Sequence, residues 1–208
     1  MKKEKSQDKS TMDRIIDAAI PLFAMKGYAA VSVKELAQAA DVNVALISYY
    51  FGGKENLYVS ILKDQFASIS ELIDILRKED VSSSDKIRHF GAMSVKIHKQ
   101  CPYTSYLVYG EIINPTVSFD NIVKKEIFEL HHFLSECISQ AVAIGEFRSD
   151  LEPTYAAFTL TSIIHFYFFT QHLSKGTLPS RADQAEYYIA QAIETYLHGV
   201  LAPRDLLK

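Results

Sequence analysis

The chain has 208 residues, 48% of them hydrophobic and 23% charged, with only 8 Gly and 6 Pro, so it can bury a sizeable core and does not have the make-up of a disordered polymer. Its formal net charge of −3 excludes a polycation that coats nucleic acid indiscriminately, yet the N-terminal quarter carries a small basic excess and the remainder an acidic one. Cys101 and Cys137 lie far apart and form no CxxC, which argues against a disulfide framework and for a reducing compartment; the N-terminus, MKKEKSQDKSTMDR, has no apolar signal-peptide segment, and the expected location is cytoplasmic.

Helical periodicity runs through almost the whole chain, and no stretch alternates as a strand. Residues 1–10 read as a flexible polar tail. A first helix is expected from Thr11 to Lys26, with Ile15, Ile16, Ala19, Leu22 and Phe23 on one stripe, Pro21 bending it, and Gly27 stopping it. Ser32 and Glu35 form a capping box for a second helix that ends near Ala40. Asp41-Val42-Asn43 makes a turn, and Asn43 caps a short third helix, Val44 to Tyr50. Phe51-Gly52-Gly53 breaks the chain before a long amphipathic helix that starts at Lys54. Further helices are expected near Ser84–Gln100, Tyr103–Ile113, Ser118–Ile144, Thr154–Leu173 and Arg181–Leu201. Residues 153–174 contain no Asp, Glu, Lys or Arg but include His165, Gln171 and His172. That is too polar for a lone membrane span, so no membrane association is expected, and the segment reads as a helix buried on nearly all sides, in part against a partner subunit.

Residues 32–50 have the form of a helix-turn-helix: a capped helix, a three-residue turn, then a short helix. Ala37 is small where the helices cross, and Val42, Leu46 and Ile47 form an apolar wedge. The face left over holds Asn43, Ala45, Ser48, Tyr49 and Tyr50, a short polar surface free of acids that suits a DNA major groove.

The run from Arg14 to Tyr58 resembles the DNA-binding domain of the TetR family of bacterial transcriptional regulators. The matching residues are Ala18-Ala19, Leu22-Phe23, Gly27-Tyr28, Ser32-Val33, Ala37, Ala40, Val42, Ile47-Ser48-Tyr49-Tyr50-Phe51, Lys54-Glu55 and Leu57-Tyr58. Asp41 departs from the pattern, since the family usually has Gly there; Asp tolerates left-handed backbone better than most residues. The resemblance implies an all-α fold: a three-helix helix-turn-helix DNA-binding domain at 11–53 and a ligand-binding and dimerisation domain at 54–208. It implies a regulator, expected to be a repressor released from a palindromic double-stranded operator by a small-molecule effector. Ser32 and the Val33 backbone should then meet phosphate at a helix N-terminus. Asn43, Val44, Ala45 and Ser48 should approach base edges or thymine methyls. Tyr49, Tyr50 and Lys54 should hold the phosphate backbone, and Phe51 should be a packing anchor. A homodimer is expected through the helices near 154–173 and 181–201.

The aromatic-rich middle of the chain is the expected effector site, with His89, Met93, Tyr106, Tyr109, Phe133 and Phe166 as the candidate contacts and an apolar or aromatic effector. His131 and His132 diverge by about 100° on a helix and cannot share one ordinary site. No HxxxH or HExxH occurs, so no metal is expected, and His165 reads as a satisfied core or interface histidine. No GxGxxG, P-loop or nucleophile elbow is present, so neither a cofactor nor an enzyme is expected. Isolated cysteines such as these pack inertly unless a lowered pKa and exposure make them redox sensors. Three other readings stay open: a DNA-bound adaptor whose C-terminal domain binds a protein partner, a small-molecule-binding or enzymatic helical protein whose helix-turn-helix is vestigial, and activation in place of repression.

Overall fold

The computed structural model describes residues 10–174 and 176–201. The expected polar tail lies outside these residues except for Ser10, which belongs to a helix cap: its side chain accepts from the Asp13 amide at 3.2 Å and donates to the Asp13 carboxylate at 2.7 Å. The helices are α1 (Thr11–Lys26), α2 (Val33–Ala39), α3 (Ala45–Phe51), α4 (Lys54–Lys78), α5 (Ser83–Gln100), α6 (Thr104–Ile113), α7 (Lys124–Ala143), α8 (Pro153–Ser174) and α9 (Gln184–Val200). A π-helical turn, Phe119–Val123, leads directly into α7. Phe147 and Leu201 form an isolated antiparallel β-bridge.

Local signals account for most helix ends. The Ser32 side chain accepts from the Glu35 amide at 3.1 Å, as a capping box requires. Gly27 stops α1 at φ +78° and Gly52 stops α3 at φ +73°, left-handed values that suit residues without a Cβ. Helix α1 runs through Pro21 without a break. Asn43 caps α3 from just before its start, its Oδ1 accepting from the Ala45 amide at 2.9 Å. Two expectations shift. The long helix expected from Ser118 opens instead with the π turn, and α9 starts at Gln184 because Arg181 pairs with Asp183 and lies 3.9 Å from the Tyr187 ring centroid, occupying the approach.

Two apolar cores hold the molecule together. The N-terminal core joins Ile15, Phe23, Leu36, Ile47 and Phe51 to Leu57, Ile61 and Phe66 of α4, and it also takes in Leu107 of α6 and Ile122 and Val123 of the π turn. The Gly52-Gly53 break therefore interrupts the helix without ending the packing unit. The C-terminal core gathers α4 from Leu72 onward with α5, α7, α8 and α9. At Gly91 of α5, an added Cβ would lie 1.9 Å from Ile193 Cδ1, so the α5–α9 approach depends on the missing side chain. Helix α8 is not buried on nearly all sides within one chain. Ala157, Leu160, Ile164 and Phe168 face the core, whereas Tyr155, Phe158, Phe166 and Leu173 are exposed. That second face is apolar and largely open to solvent in the single subunit, although the Phe158 ring also lies 5.4 Å from that of His131. No helix among the described residues is long and apolar enough to cross a membrane.

Candidate nucleic-acid interface and ligand cavity

The third helix is held out to solvent by its neighbours. Ile47 is fully buried and Val42 and Leu46 pack beside it, while Asn43, Val44, Ala45, Ser48, Tyr49 and Tyr50 are exposed. Tyr49 is 78% and Tyr50 41% exposed, with their rings edge-to-face at 5.0 Å, so both phenols reach solvent from one surface. Phe51 is buried, as a packing anchor should be. Asp41 adopts φ +52°. Arg14 reaches across from α1 to this turn, donating from one guanidinium nitrogen to the Ala40 carbonyl at 2.8 Å and the Asp41 carbonyl at 2.7 Å. Sequence reasoning missed this clamp, since nothing in the spacing of Arg14 and Asp41 announces it.

The flanking groups are equally ordered. Ser32 and Val33 stand exposed and half-buried at the start of α2. Lys26 contacts Glu35 at 2.5 Å and holds its carboxyl below the usual range, offsetting an acid beside an anion-accepting helix start. Lys54 opens α4 with its Nζ 4.2 Å from the Tyr28 ring centroid, and partial burial pushes its pKa down. Tyr28 and Phe23 both pack on Tyr58, at 4.9 Å between ring centroids.

Tyr58 then connects this head to the body. Its hydroxyl, raised in pKa by burial and by the neighbouring carboxylate, donates to Glu111 Oε1 at 2.8 Å. Glu111 of α6 is 1% exposed and also accepts from the Thr116 amide at 3.2 Å and hydroxyl at 3.0 Å. A lone acid inside the apolar run Tyr106–Ile113 was the available sequence signal for such a link.

The opposite face of α6 lines a cavity of about 260 Å³, formed with α4, α5, α7 and α8. Its apolar wall includes Phe66, Ile69, Val108, Ile127 and Leu130, and its polar groups include His98, Tyr109, Glu126, His131 and His165. Of the six side chains expected to touch an effector, Tyr109 lines this space, its ring stacked on Phe169 at 4.1 Å and its pKa raised by burial. The other five lie elsewhere. His89 is exposed and pairs with Glu79 at 2.7 Å, Met93 and Phe133 pack in or against the C-terminal core, Tyr106 turns toward Phe169 and His172, and Phe166 faces solvent on α8. Helical spacing placed them centrally along their helices but not on the faces that surround the cavity.

The histidines that do line it are pinned differently. His98 Nδ1 lies 3.0 Å from the Ser94 carbonyl, which can only accept, so that nitrogen carries the proton and Nε2 accepts from the Ser105 hydroxyl at 2.8 Å. Burial lowers its pKa to about 4, and its ring stacks on Phe168 at 3.6 Å. His131 Nε2 meets the Thr161 hydroxyl at 3.1 Å, and burial lowers its pKa too. His165 is half-buried and lines the cavity, and burial, then the charges of His98 and His131, push its pKa to about 4. Among the described residues it makes no hydrogen bond, so within one chain it is not a satisfied core histidine, the first of the two settings expected for it. No three His, Cys, Asp or Glu side chains among the described residues are grouped to hold a metal ion. Burial raises the thiol pKa of both Cys101 and Cys137, the opposite of what a reactive thiolate needs.

On the far side of α8, a groove runs between α8 and α9, floored by small residues including Ala156, Thr159, Ala192, Thr195 and Gly199 and flanked by the exposed ring of Tyr155.

A short helix presented to solvent after a capped helix and a tight turn is the geometry of helix-turn-helix DNA-binding proteins. Residues 15–61 match the family model of bacterial regulatory proteins, tetR family. The chain is 45% identical over 65 residues to the probable HTH-type transcriptional regulator YttP of Bacillus subtilis (strain 168), a match that spans 31% of each chain. It is 25% identical over 164 residues to the HTH-type transcriptional repressor NicS of Pseudomonas putida, covering 78% of this chain and 77% of that one. The solved structure of HlyIIR, a hemolysin II transcriptional regulator, superposes with a TM-score of 0.71 at 25% identity over 93% of this chain and 98% of that chain. Over residues 15–61 the chain is thus similar to the DNA-binding region of the TetR family.

Proposed function

We propose that the protein is a cytoplasmic, homodimeric transcriptional repressor that leaves a palindromic operator when a small molecule fills the α6-lined cavity. The exposed face from Asn43 to Tyr50 carries this reading: a folded protein has no packing reason to hold two tyrosines and an aliphatic residue in solvent on a helix wedged by Ile47. Val44, Ala45 and Ser48 face base edges, and Tyr49, Tyr50, Lys54 and the Ser32–Val33 helix start meet phosphates. Asn43 has its oxygen engaged in the cap, which leaves its amide N–H groups for the DNA. Two such helices, brought about one DNA turn (~34–36 Å) apart by α8 and α9 of each subunit, read two half-sites. The exposed apolar residues of α8 and the groove beside them supply a self-complementary surface.

Helix α6 supports a route for release. One face borders the cavity, and the other holds Tyr58, and through it Tyr28 and Phe23, by way of Glu111. A ligand that displaces α6 therefore moves the start of α4 and the reading head. Weakening the operator complex by one to two decades needs only ~1.4–2.8 kcal/mol of preference for the released state. The cavity favours this reading over a protein-binding adaptor, whose body needs no internal space. The test is selection of bound sequences from random DNA, repeated with Tyr49→Ala and Lys54→Ala. A palindromic consensus is expected, with weaker and less salt-dependent binding for Lys54→Ala. A parent protein indifferent to DNA at low salt refutes the reading.

A further inference from the structure

The cavity's chemistry narrows what can occupy it, granted the sensing role above. Its volume of about 260 Å³ exceeds the roughly 150 Å³ that accommodates benzene, so it suits one or two fused rings. Its lining contains no Lys or Arg and one acid, Glu126, whose carboxylate accepts from Ser70 at 3.0 Å. A fixed anion would find no cation there and would lose its hydration. The imidazoles of His98 and His131 already have protein partners, so neither offers a free pair of nitrogens. His165 stands apart: it is half-buried, borders the cavity, and makes no hydrogen bond among the described residues. The imidazole of His165 is thus left open to hydrogen-bond with whatever fills the cavity.

We propose that the cavity takes a compact, uncharged ring compound bearing a hydroxyl group, and that His165 is the hydrogen-bond partner of that hydroxyl. A neutral imidazole has one N–H and one bare nitrogen, so it can accept a hydrogen bond from the hydroxyl, the proton staying on the oxygen and both groups remaining uncharged. Phe66, Leu130 and Phe158 supply apolar contact for the ring system, and Tyr109 offers a second phenol at the rim.

The probes are 2-naphthol, its anionic counterpart 2-naphthoate, and naphthalene, titrated into the full-length protein at neutral pH. The chain has no Trp, so naphthyl fluorescence is read without indole background. We expect 2-naphthol to bind at least tenfold more tightly than 2-naphthoate. His165→Phe should weaken 2-naphthol about tenfold while retaining naphthalene, which shows the chamber intact, and His165→Asn should recover part of the loss. Equal or tighter binding of 2-naphthoate, equal effects of His165→Phe on naphthol and naphthalene, or saturable binding by none of the three overturns the proposal. Adding 2-naphthol to the operator complex separates the two readings. His165-dependent binding that leaves the operator complex intact upholds the ligand chemistry and refutes the sensing role.

Discussion

Removing one oxygen atom tests the connection between head and body. In Tyr58→Phe the ring stays in its 3%-exposed site against Phe23 and Tyr28, but the 2.8 Å bond to Glu111 is gone. Glu111 keeps its bonds from Thr116, so the carboxylate is not orphaned, and the loss is one hydrogen bond to a buried charged group, about 1.5–3 kcal/mol. For a chain of this size that corresponds to a fall in Tm of about 3–12 °C. Urea unfolding at one fixed protomer concentration measures it, since dimerisation makes stability concentration-dependent. A double-mutant cycle with Glu111→Gln isolates the pair, and its members should be non-additive by more than about 0.5 kcal/mol. If Tyr58→Phe unfolds within about 0.5 kcal/mol of the parent at an unchanged m-value, Thr116 alone secures Glu111 and the proposed route from α6 to the head has no strength.

Other variants probe the turn, the helix contact and the buried imidazoles. Asp41→Gly should stabilise the protein by up to about 1 kcal/mol by relieving left-handed strain, because the 3.6 Å pairing it sacrifices involves a fully exposed carboxylate; Arg14→Met should cost about 1–2 kcal/mol by freeing two turn carbonyls. Opposite signs in the urea midpoint check both, and equal signs defeat the account of the turn. Gly91→Ala should cost about 1–3 kcal/mol, and Ile193→Val, which deletes the clashing Cδ1, should recover part of it in the double variant. His98 and His165 fold with pKa values near 4 against an unfolded 6.5, so the unfolded chain binds more protons between those values. Stability is therefore full above pH 6.5 and declines as pH falls toward 4, by about 2 kcal/mol per histidine at pH 5. Chemical denaturation from pH 7.5 to 5 reads this slope, and His98→Leu should reduce it.

The head was legible in the sequence because its determinants are local. Ser32 and Glu35 cap a helix three residues apart, Gly27 and Gly52 end helices, and the wedge of Val42, Leu46 and Ile47 lies in one turn of chain. Each can be read without knowing what lies opposite. The cavity was not legible for the converse reason. Which face of α5, α6 or α8 borders it is decided by how five helices roll against one another, and helical spacing is silent on that. Tyr109 and Phe166 carry the same signal in sequence, yet one lines the chamber and the other faces solvent. The roles of Arg14 and Glu111 were missed because a partner of each, the Ala40 carbonyl and Tyr58, lies 26 or more residues away in the chain, and that of His165 because its surroundings belong to the cavity itself. Gly91 is the packing counterpart: a glycine in mid-helix is noticed only when Ile193 is seen against it.

Between Asn43 and Phe51 the surface offered to DNA contains no formal charge, and its asparagine has already committed its oxygen. Two-point recognition of adenine by that side chain would unfasten the helix that presents it. On the proposed docking, what remains for telling one base pair from another is the fit of Val44 and Ala45 against the C5 substituent of pyrimidines, with the Ser48 hydroxyl and the Asn43 amide N–H groups beside them. Docked in that way, the protein would discriminate largely by contour, so altering one or two small aliphatic side chains should redirect its choice of genes, with its grip on the sugar-phosphate rails left as it was.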